Sequence, residues 1–300
     1  KQAKVNPVHL GIGLLLVLSL INSSLWAQCD AIYTFFIVLG ISCAVRRQSA
    51  WCFALIGIAL AFKLQTILIF PVVLIILICK NSQGEKYLYW KHIWLTPVVF
   101  VALSSLPVLF GGSILKVFYA YLNQVLKGNG YALWGNCANI YLWYLTMDQS
   151  SFWYPLLLIA GIVITAMILI LVIVRVYRSR KNQLSIRDII FLSVLLPMVS
   201  VFCMPKMQDR FYYIAEIFMF VYLFVTNKKV STQIAYLGLV VGVWITFLVT
   251  LNLILELTAF SIYFYSNILT GMSVIIMLIQ FCENFQNKTL PNKTLPILEK

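Results

Sequence analysis

The segment "AWCFALIGIALAFKLQTILIFPVVLIILIC" (Ala50–Cys79) contains two apolar runs that are separated by Lys63 and Gln65. As one helix rising about 1.5 Å per residue, the segment would be roughly 45 Å long. That length exceeds a hydrocarbon core about 30 Å thick. We therefore predict two short helices that meet at Lys63. This break fixes the side of a membrane on which every later loop lies, so it decides the predicted topology.

The whole chain has the composition of an integral membrane protein. Its 300 residues are 62% hydrophobic and 10% charged, with a mean hydropathy of +0.94, whereas soluble proteins carry about 25% charged residues. We predict an all-α, polytopic membrane protein with about ten membrane helices, some of them short for a bilayer. Residues 1–283 would form one transmembrane helical domain, and residues 284–300 a polar cytoplasmic tail. The apolar runs lie at 8–21, 30–45, 50–62, 64–79, 92–110, 155–174, 188–203, 211–226, 232–254 and 259–282.

The positions of the basic residues support this topology. If the N-terminus is cytoplasmic and every run crosses once, only five of the 22 Lys and Arg residues lie on the outer side. The remainder lie on the inner side, as the positive-inside rule expects. The net charge of +13 then reflects membrane topology rather than nucleic-acid binding. The five outer residues are Lys63, Lys116, Lys127, Lys206 and Arg210.

Four unusual segments share the predicted outer side. They are "NSSLWAQCD" (Asn22–Asp30), "AFKLQT" around Lys63, the long loop Gly111–Tyr154, and "MPKMQDRFYY" (204–213). The loop is longer than ordinary connections. Its "SILKVFYAYLNQVL" stretch has the spacing of an amphipathic helix that lies in the membrane interface.

These segments combine acids with cations, which indicates a site for a phosphate-bearing substrate. Acids can accept the proton of an attacking hydroxyl, and cations can stabilise the charge that grows on a phosphate. Simpler roles stay open at this stage: Asp30 could cap a helix, and Lys63 could extend its ammonium to the interface. The seven Cys residues form no C-x-x-C pair and only two His are present, so we expect neither a metal site nor a disulfide framework.

The same residues resemble, over roughly residues 8–226, motifs of the GT-C glycosyltransferases. The likeness is greatest to bacterial relatives of the GPI-anchor second mannosyltransferase. Those proteins tend to carry W-x-Q-x-D, then F-K-x-Q…P, then N-x-x-N late in the long outer loop, and finally an M-H-E-R-Y-like motif. Here the matching residues are Trp26, Gln28 and Asp30; Phe62, Lys63, Gln65 and Pro71; Asn136 and Asn139; and Met207, Asp209, Arg210 and Phe211.

The chain departs from the family pattern in two places. Gln208 stands where the family usually has His, and Asp209 stands where Glu is common, so a proton role for that His is absent. Family members also keep their expected catalytic acid in the first outer loop, after the first helix. Nothing before Lys1 supplies it, and we expect the sequence to be the C-terminal portion of a larger GT-C-like module.

The resemblance implies an enzyme that moves a hexose, mannose-like, from a polyprenyl-phosphate donor. The acceptor would be an envelope glycan or a lipid-linked molecule, and transfer would occur on the non-cytoplasmic face of the cell membrane. It implies no further cofactor. Lys63, Lys206 and Arg210 would bind the donor phosphate, and Asp30 with Asp209 would bind sugar or acceptor hydroxyls. Asp30 is the candidate catalytic residue. Further substrate-binding residues would be Trp26, Gln28, Gln65, Asn136 and Asn139.

Two other functions remain open from the residues. A transporter, flippase or polymerase of lipid-linked saccharides would also place charges among membrane helices. Transporters often show repeated halves and broken helices near the midplane. No convincing internal repeat is present here, and the polar groups gather at one predicted face, which favours the transferase. A structural or assembly subunit would leave those charges unexplained.

Overall fold

A computed structural model describes residues 29–127, 133, 135, 137–144, 151–179, 183–225, 229–250 and 259–285. Within these ranges the regular structure is helical, and pairing of β type is confined to isolated bridges. The α-helices are α1 (Asp30–Val45), α2 (Ser49–Phe62), α3 (Phe70–Ile78), α4 (Leu95–Ser104), α5 (Ile114–Lys127), α6 (Trp153–Arg178), α7 (Ile186–Cys203), α8 (Tyr213–Val225), α9 (Val230–Thr250) and α10 (Ala259–Asn284). Short 3-10 helices cover Leu64–Ile69, Trp90–His92, Leu106–Phe110, Ile140–Tyr144 and Asp209–Tyr212.

The all-helical prediction is confirmed for the described residues, and their apolar helices are consistent with a membrane protein. Four helical stretches of this part of the chain are long and apolar enough to cross a bilayer: Trp90–Phe110, Trp153–Arg178, Ile186–Cys203 and Ser261–Asn284. Shorter apolar helices occupy Asp30–Val45, Ser49–Phe62, Leu64–Ile78 and Val230–Thr246. The predicted span 8–21 and nearly all of the polar tail lie outside the described residues.

Helix α7 forms the centre of the molecule. Of its apolar window, 72% is buried inside the protein, against 17% for α6. Helix α7 packs its Phe191, Leu195 and Val199 side chains into the core. By contrast α6 exposes large apolar side chains such as Ile159 and Leu171. A helix that is apolar on all sides is buried or faces lipid, so α6 has the surface of a lipid-facing helix.

Helices α1 and α2 form a tight antiparallel hairpin. The turn between them contains Arg47 with a φ of 62°, a left-handed conformation that few residues other than glycine adopt. Gly40 on α1 lets the helices approach, since a Cβ there would lie 3.2 Å from the Ile56 side chain. The hairpin therefore returns the end of α2 to the level at which α1 begins.

The predicted break at Lys63 is present. Helix α2 ends at Phe62, and Lys63 is extended, with φ −158° and ψ 129°. The 3-10 helix Leu64–Ile69 follows, and Pro71 lies in the first turn of α3, where its missing N–H costs no helical hydrogen bond. Lys63 is thus held at a bend of the backbone.

The helix predicted within the long loop is also present, as α5. Its Leu115 and Tyr119 side chains are 77% and 59% exposed. An apolar face left open in this way suits a membrane interface, and that location stays a prediction.

The connection that follows α3 is hydrogen-bonded to the segment that leads into α7. The Tyr87 hydroxyl donates to the Leu184 carbonyl at 2.9 Å. Ser185 then caps α7: its hydroxyl accepts from the Asp188 N–H at 3.2 Å, while the Ser185 N–H donates to the Asp188 carboxylate at 3.0 Å. This reciprocal pair satisfies two free backbone donors at the helix start.

Replacing Ser185 by Ala should lower the free energy of unfolding by about 1 kcal/mol, because one cap is lost. The measurement is thermal or chemical unfolding of the purified protein in detergent. Ser82→Ala, at an exposed position in a nearby turn, is the matched control. Equal stability of the two variants would contradict the role given to the cap.

Candidate functional site

The first element of the site is a buried ion pair at the open end of the α1–α2 hairpin. Lys63 Nζ donates to Asp30 Oδ1, and the two side chains are 8% and 0% exposed. The cap position of α1 belongs to Cys29, and Asp30 lies in the first helical turn. Its carboxylate contacts Lys63 rather than the backbone amides, so the helix-cap role left open above is not the one observed.

Two aromatic rings enclose the Lys63 ammonium. Nζ lies 5.6 Å from the ring centroid of Tyr33 and 5.9 Å from that of Phe211, within the range of cation–π attraction. Tyr33 belongs to α1, whereas Phe211 comes from the turn between α7 and α8. The ion pair thus joins segments that lie far apart in the sequence. Removing one partner of a buried pair of this kind costs about 3–5 kcal/mol.

The 3-10 turn Asp209–Tyr212 brings a second acid to the same place. Asp209 is 3% exposed, and the Arg210 N–H donates to its Oδ1 at 2.7 Å. Burial raises the pKa of the Asp209 carboxyl to about 7 against the opposing effect of Arg210, and the nearby Asp30 carboxylate adds to the rise. Asp30 and Lys63 from the first half of the chain therefore lie near Asp209 and Arg210 from the second half. The sequence predicted that these four charged residues would lie in one site.

The long loop folds over this turn. The Tyr212 hydroxyl donates to the Ala138 carbonyl at 2.7 Å, and the Lys206 N–H donates to the Leu133 carbonyl at 2.7 Å. Gly135 permits the approach, since a Cβ there would lie 2.5 Å from the Met207 carbonyl oxygen. These contacts hold Leu133, Gly135 and Ala138 of the loop against the segment that contains the Asp209 turn.

The Lys206 side chain points away from Lys63 and Arg210, the other two predicted phosphate ligands. Its backbone is left-handed, with φ 60°, and its ammonium lies over the ring of Tyr154, 5.6 Å from the centroid. Tyr154 belongs to a small apolar cluster with Leu133 and Tyr141. The structure therefore places Lys206 beside this cluster and not in the ion pair.

A cavity of about 740 Å³ adjoins the ion pair, a size typical of ligand pockets. Its walls are almost entirely apolar and come from α2, the Leu64–Ile69 turn, α3, α4, α6, α7 and the segment 204–211 that follows α7. Phe211 lines the cavity and also contacts the Lys63 ammonium. The apolar cavity and the charged pair consequently share one wall.

Several buried polar atoms at this end lack a hydrogen-bond partner. Such atoms are uncommon in folded proteins, and leaving one unpaired costs about 1–3 kcal/mol. Unpaired polar atoms near the ion pair are available to bind a polar ligand. They are Asp30 Oδ2, Gln65 Oε1, Thr66 Oγ1 and Asn139 Nδ2.

Four buried polar residues at this end lie outside the motifs read from the sequence: Tyr33, Thr34, Thr66 and Glu216. Tyr33 and Thr34 lie three and four positions after Asp30, and that spacing places them on its helix face, so the signal was present. Glu216 on α8 is 2% exposed, with Oε1 unpartnered, and interacts electrostatically with Asp209. The sequence shows that Glu216 lies inside an apolar run, but it does not show which residues lie near Glu216 in the fold.

Not every predicted residue can be placed. Trp26, Gln28 and Asn136 lie outside the described residues. Gln65 lines the cavity, and Asn139 is fully buried, with its Oδ1 accepting from the Tyr141 N–H at 3.0 Å. Among the described residues, no group of three or more His, Cys, Asp or Glu residues is placed to hold a metal ion.

Comparison with known proteins gives no family assignment. No family model matches this chain, and no curated protein matches it. The resemblance to GT-C enzymes remains a prediction from the motifs.

The raised pKa of Asp209 should make stability depend on pH. Its pKa is about 7 in the folded protein against an ordinary 3.8, so between about pH 4 and pH 7 the unfolded chain ionises while the folded protein keeps the proton. The free energy of unfolding should then fall as pH rises through that window, by up to about 1.4 kcal/mol per pH unit.

Thermal unfolding in detergent at pH 5 and pH 7 tests this expectation. Asp209→Asn should show a smaller loss of stability over that interval than the wild type, and Glu85→Gln, at an exposed acid, should behave as the wild type. An equally steep pH dependence in Asp209→Asn would contradict the raised pKa.

Proposed function

We propose that the protein is a GT-C-type membrane glycosyltransferase. It moves a hexose, mannose-like, from a polyprenyl-phosphate donor to an envelope glycan or lipid-linked acceptor. The observation that supports this most directly is the buried Asp30–Lys63 pair sharing the Phe211 wall with an apolar cavity of about 740 Å³. A lipid-linked sugar phosphate has the same two parts, a charged head and an apolar chain.

In the proposed topology the chain crosses the membrane ten times, and the site lies on the non-cytoplasmic face. Asp30 and Lys63 lie at one end of the α1–α2 hairpin, and Arg46 and Arg47 lie at its other end. Because basic residues collect on the cytoplasmic side, the ion pair belongs on the opposite side. A donor carried by a lipid, rather than a nucleotide sugar, suits that location.

In the proposed reaction an acceptor hydroxyl oxygen attacks the anomeric carbon of the donor sugar. The bond from that carbon to the phosphate oxygen breaks, and its electron pair stays on the phosphate. The hydroxyl proton passes to a carboxylate, with Asp30 as the proposed base. Lys63 and Arg210 stabilise the phosphate charge, while Asp209 binds sugar or acceptor hydroxyls. Lys206 joins them only if its ammonium leaves the ring of Tyr154.

Replacing Asp30 by Asn in the intact protein should lower the transfer rate by about 10²–10⁴-fold, since a general base is lost. The assay follows radiolabelled polyprenyl-phosphate mannose in proteoliposomes, with a cell-envelope lipid extract as acceptor. Glu85→Gln, which removes an exposed acid paired with Arg47, should keep the wild-type rate.

Full transfer by Asp30→Asn would contradict the role of Asp30. If the wild type instead moves the labelled lipid between leaflets without transferring its sugar, the protein is a flippase. Thermal unfolding of each variant verifies that a lost rate reflects chemistry rather than misfolding.

A further inference from the structure

We propose that Lys63 changes partners during transfer, from the Asp30 carboxylate in the resting site to the phosphate of the departing lipid. This inference rests on the proposed function and adds a charge exchange to it. It assigns the Asp30–Lys63 pair to the resting state rather than to the reacting state.

The resting pair occupies both groups that the reaction needs. Asp30 Oδ1 accepts a hydrogen bond from Lys63 Nζ, so the ammonium offsets part of the negative charge with which the carboxylate would attract a hydroxyl proton. An ammonium held by a carboxylate is likewise not fully available to a phosphate. The second carboxylate oxygen, Oδ2, is buried and has no hydrogen-bond partner. It provides a position for an acceptor hydroxyl before the pair separates.

The position of Lys63 suits such an exchange. It follows the last residue of α2 in an extended conformation, and its four-carbon side chain is flexible. The ammonium carries three donors, one of which points to Asp30. Phe211 lies 5.9 Å from the ammonium and lines the apolar cavity, so a phosphate at the mouth of that cavity would lie beside Lys63.

The charges that change in the reaction drive the exchange. The donor phosphate is a diester with one negative charge, and it leaves as a monoester with about −1.5 to −2 at neutral pH. Over the same step Asp30 gains the acceptor's proton and becomes neutral. The attraction of Lys63 to the phosphate therefore grows while its attraction to Asp30 falls, and the total charge of the buried site is unchanged. An interaction that strengthens as the bond breaks lowers the barrier.

Other charged and titratable groups face the pair and must be separated from it experimentally. Tyr33 and Cys29 come from the start of α1, and Asp209 and Arg210 come from the turn before α8. Glu216 acts on Asp209 from α8. Of these, Asp209 is the buried acid that interacts electrostatically with Asp30, which makes Asp209→Asn the discriminating variant.

The test uses polyprenyl monophosphate, the expected product, and isothermal titration calorimetry of the intact protein in lipid nanodiscs at pH 8. The lipid phosphate is almost fully ionised at this pH, so proton uptake reports on the protein. The wild type should take up about one proton per lipid bound. This uptake is seen when the measured heat of binding changes with the ionisation enthalpy of the buffer. Asp30→Asn resembles the protein with protonated Asp30. This variant should bind the lipid roughly tenfold more tightly, since no charge-assisted hydrogen bond must be broken. It should bind the lipid without taking up a proton.

The controls separate this inference from the proposed function. Asp209→Asn and Glu85→Gln should both retain proton uptake on binding. Proton uptake is measured on the wild type alone. It therefore tests the partner exchange even if Asp30→Asn fails to fold. If the wild type binds the lipid and transfers hexose, but takes up no proton or loses affinity in Asp30→Asn, the partner exchange is wrong and the transferase stands. If the wild type neither binds the lipid nor transfers sugar, both fail.

Discussion

A buried ammonium and a buried carboxylate join the two helices of the α1–α2 hairpin at one end of this protein. Moving either charge out of water is costly, and their attraction offsets that cost only when both are present in good geometry. Asp30 is the first residue of α1, and Lys63 follows the last residue of α2. The two can pair only because α2 ends beside the start of α1. The Asp209 turn supplies the aromatic cover through Phe211. The contact between the hairpin and the Asp209 turn thus depends in part on this ion pair.

The helices were more predictable than the shorter segments between them. Residues 30–45 were expected to be helical, and α1 spans Asp30–Val45, because an uninterrupted apolar run leaves little alternative. Residues 92–110 also formed one apolar run, yet the chain there divides into two 3-10 helices flanking α4. Pro107 lies in the second of these, where it cannot donate to a helical ladder. The run indicates where a membrane segment lies, whereas its internal hydrogen bonding depends on local residues.

The site was predictable in part, for a different reason. Asp30, Lys63, Asp209 and Arg210 stood out because charges are rare in so apolar a chain, and the structure brings them together. Lys206 had the same chemistry, but its left-handed backbone sends the side chain to Tyr154. A sequence motif carries no information on that direction. The apolar cavity had no sequence signal either, since its walls come from many separate segments and its residues resemble any other membrane core.

The walls of that cavity have one further consequence. Thr96 and Pro97 of α4 and Leu169 and Ile173 of α6 line it, and both helices have few buried residues, with 11% and 17% of their apolar windows covered. On these sides one helix therefore separates the cavity from an apolar outer surface, which would face hydrocarbon in a membrane. An amphiphile dissolved in the bilayer would arrive laterally without crossing water. Occupancy would then follow the mole fraction of the amphiphile among the lipids rather than its aqueous concentration.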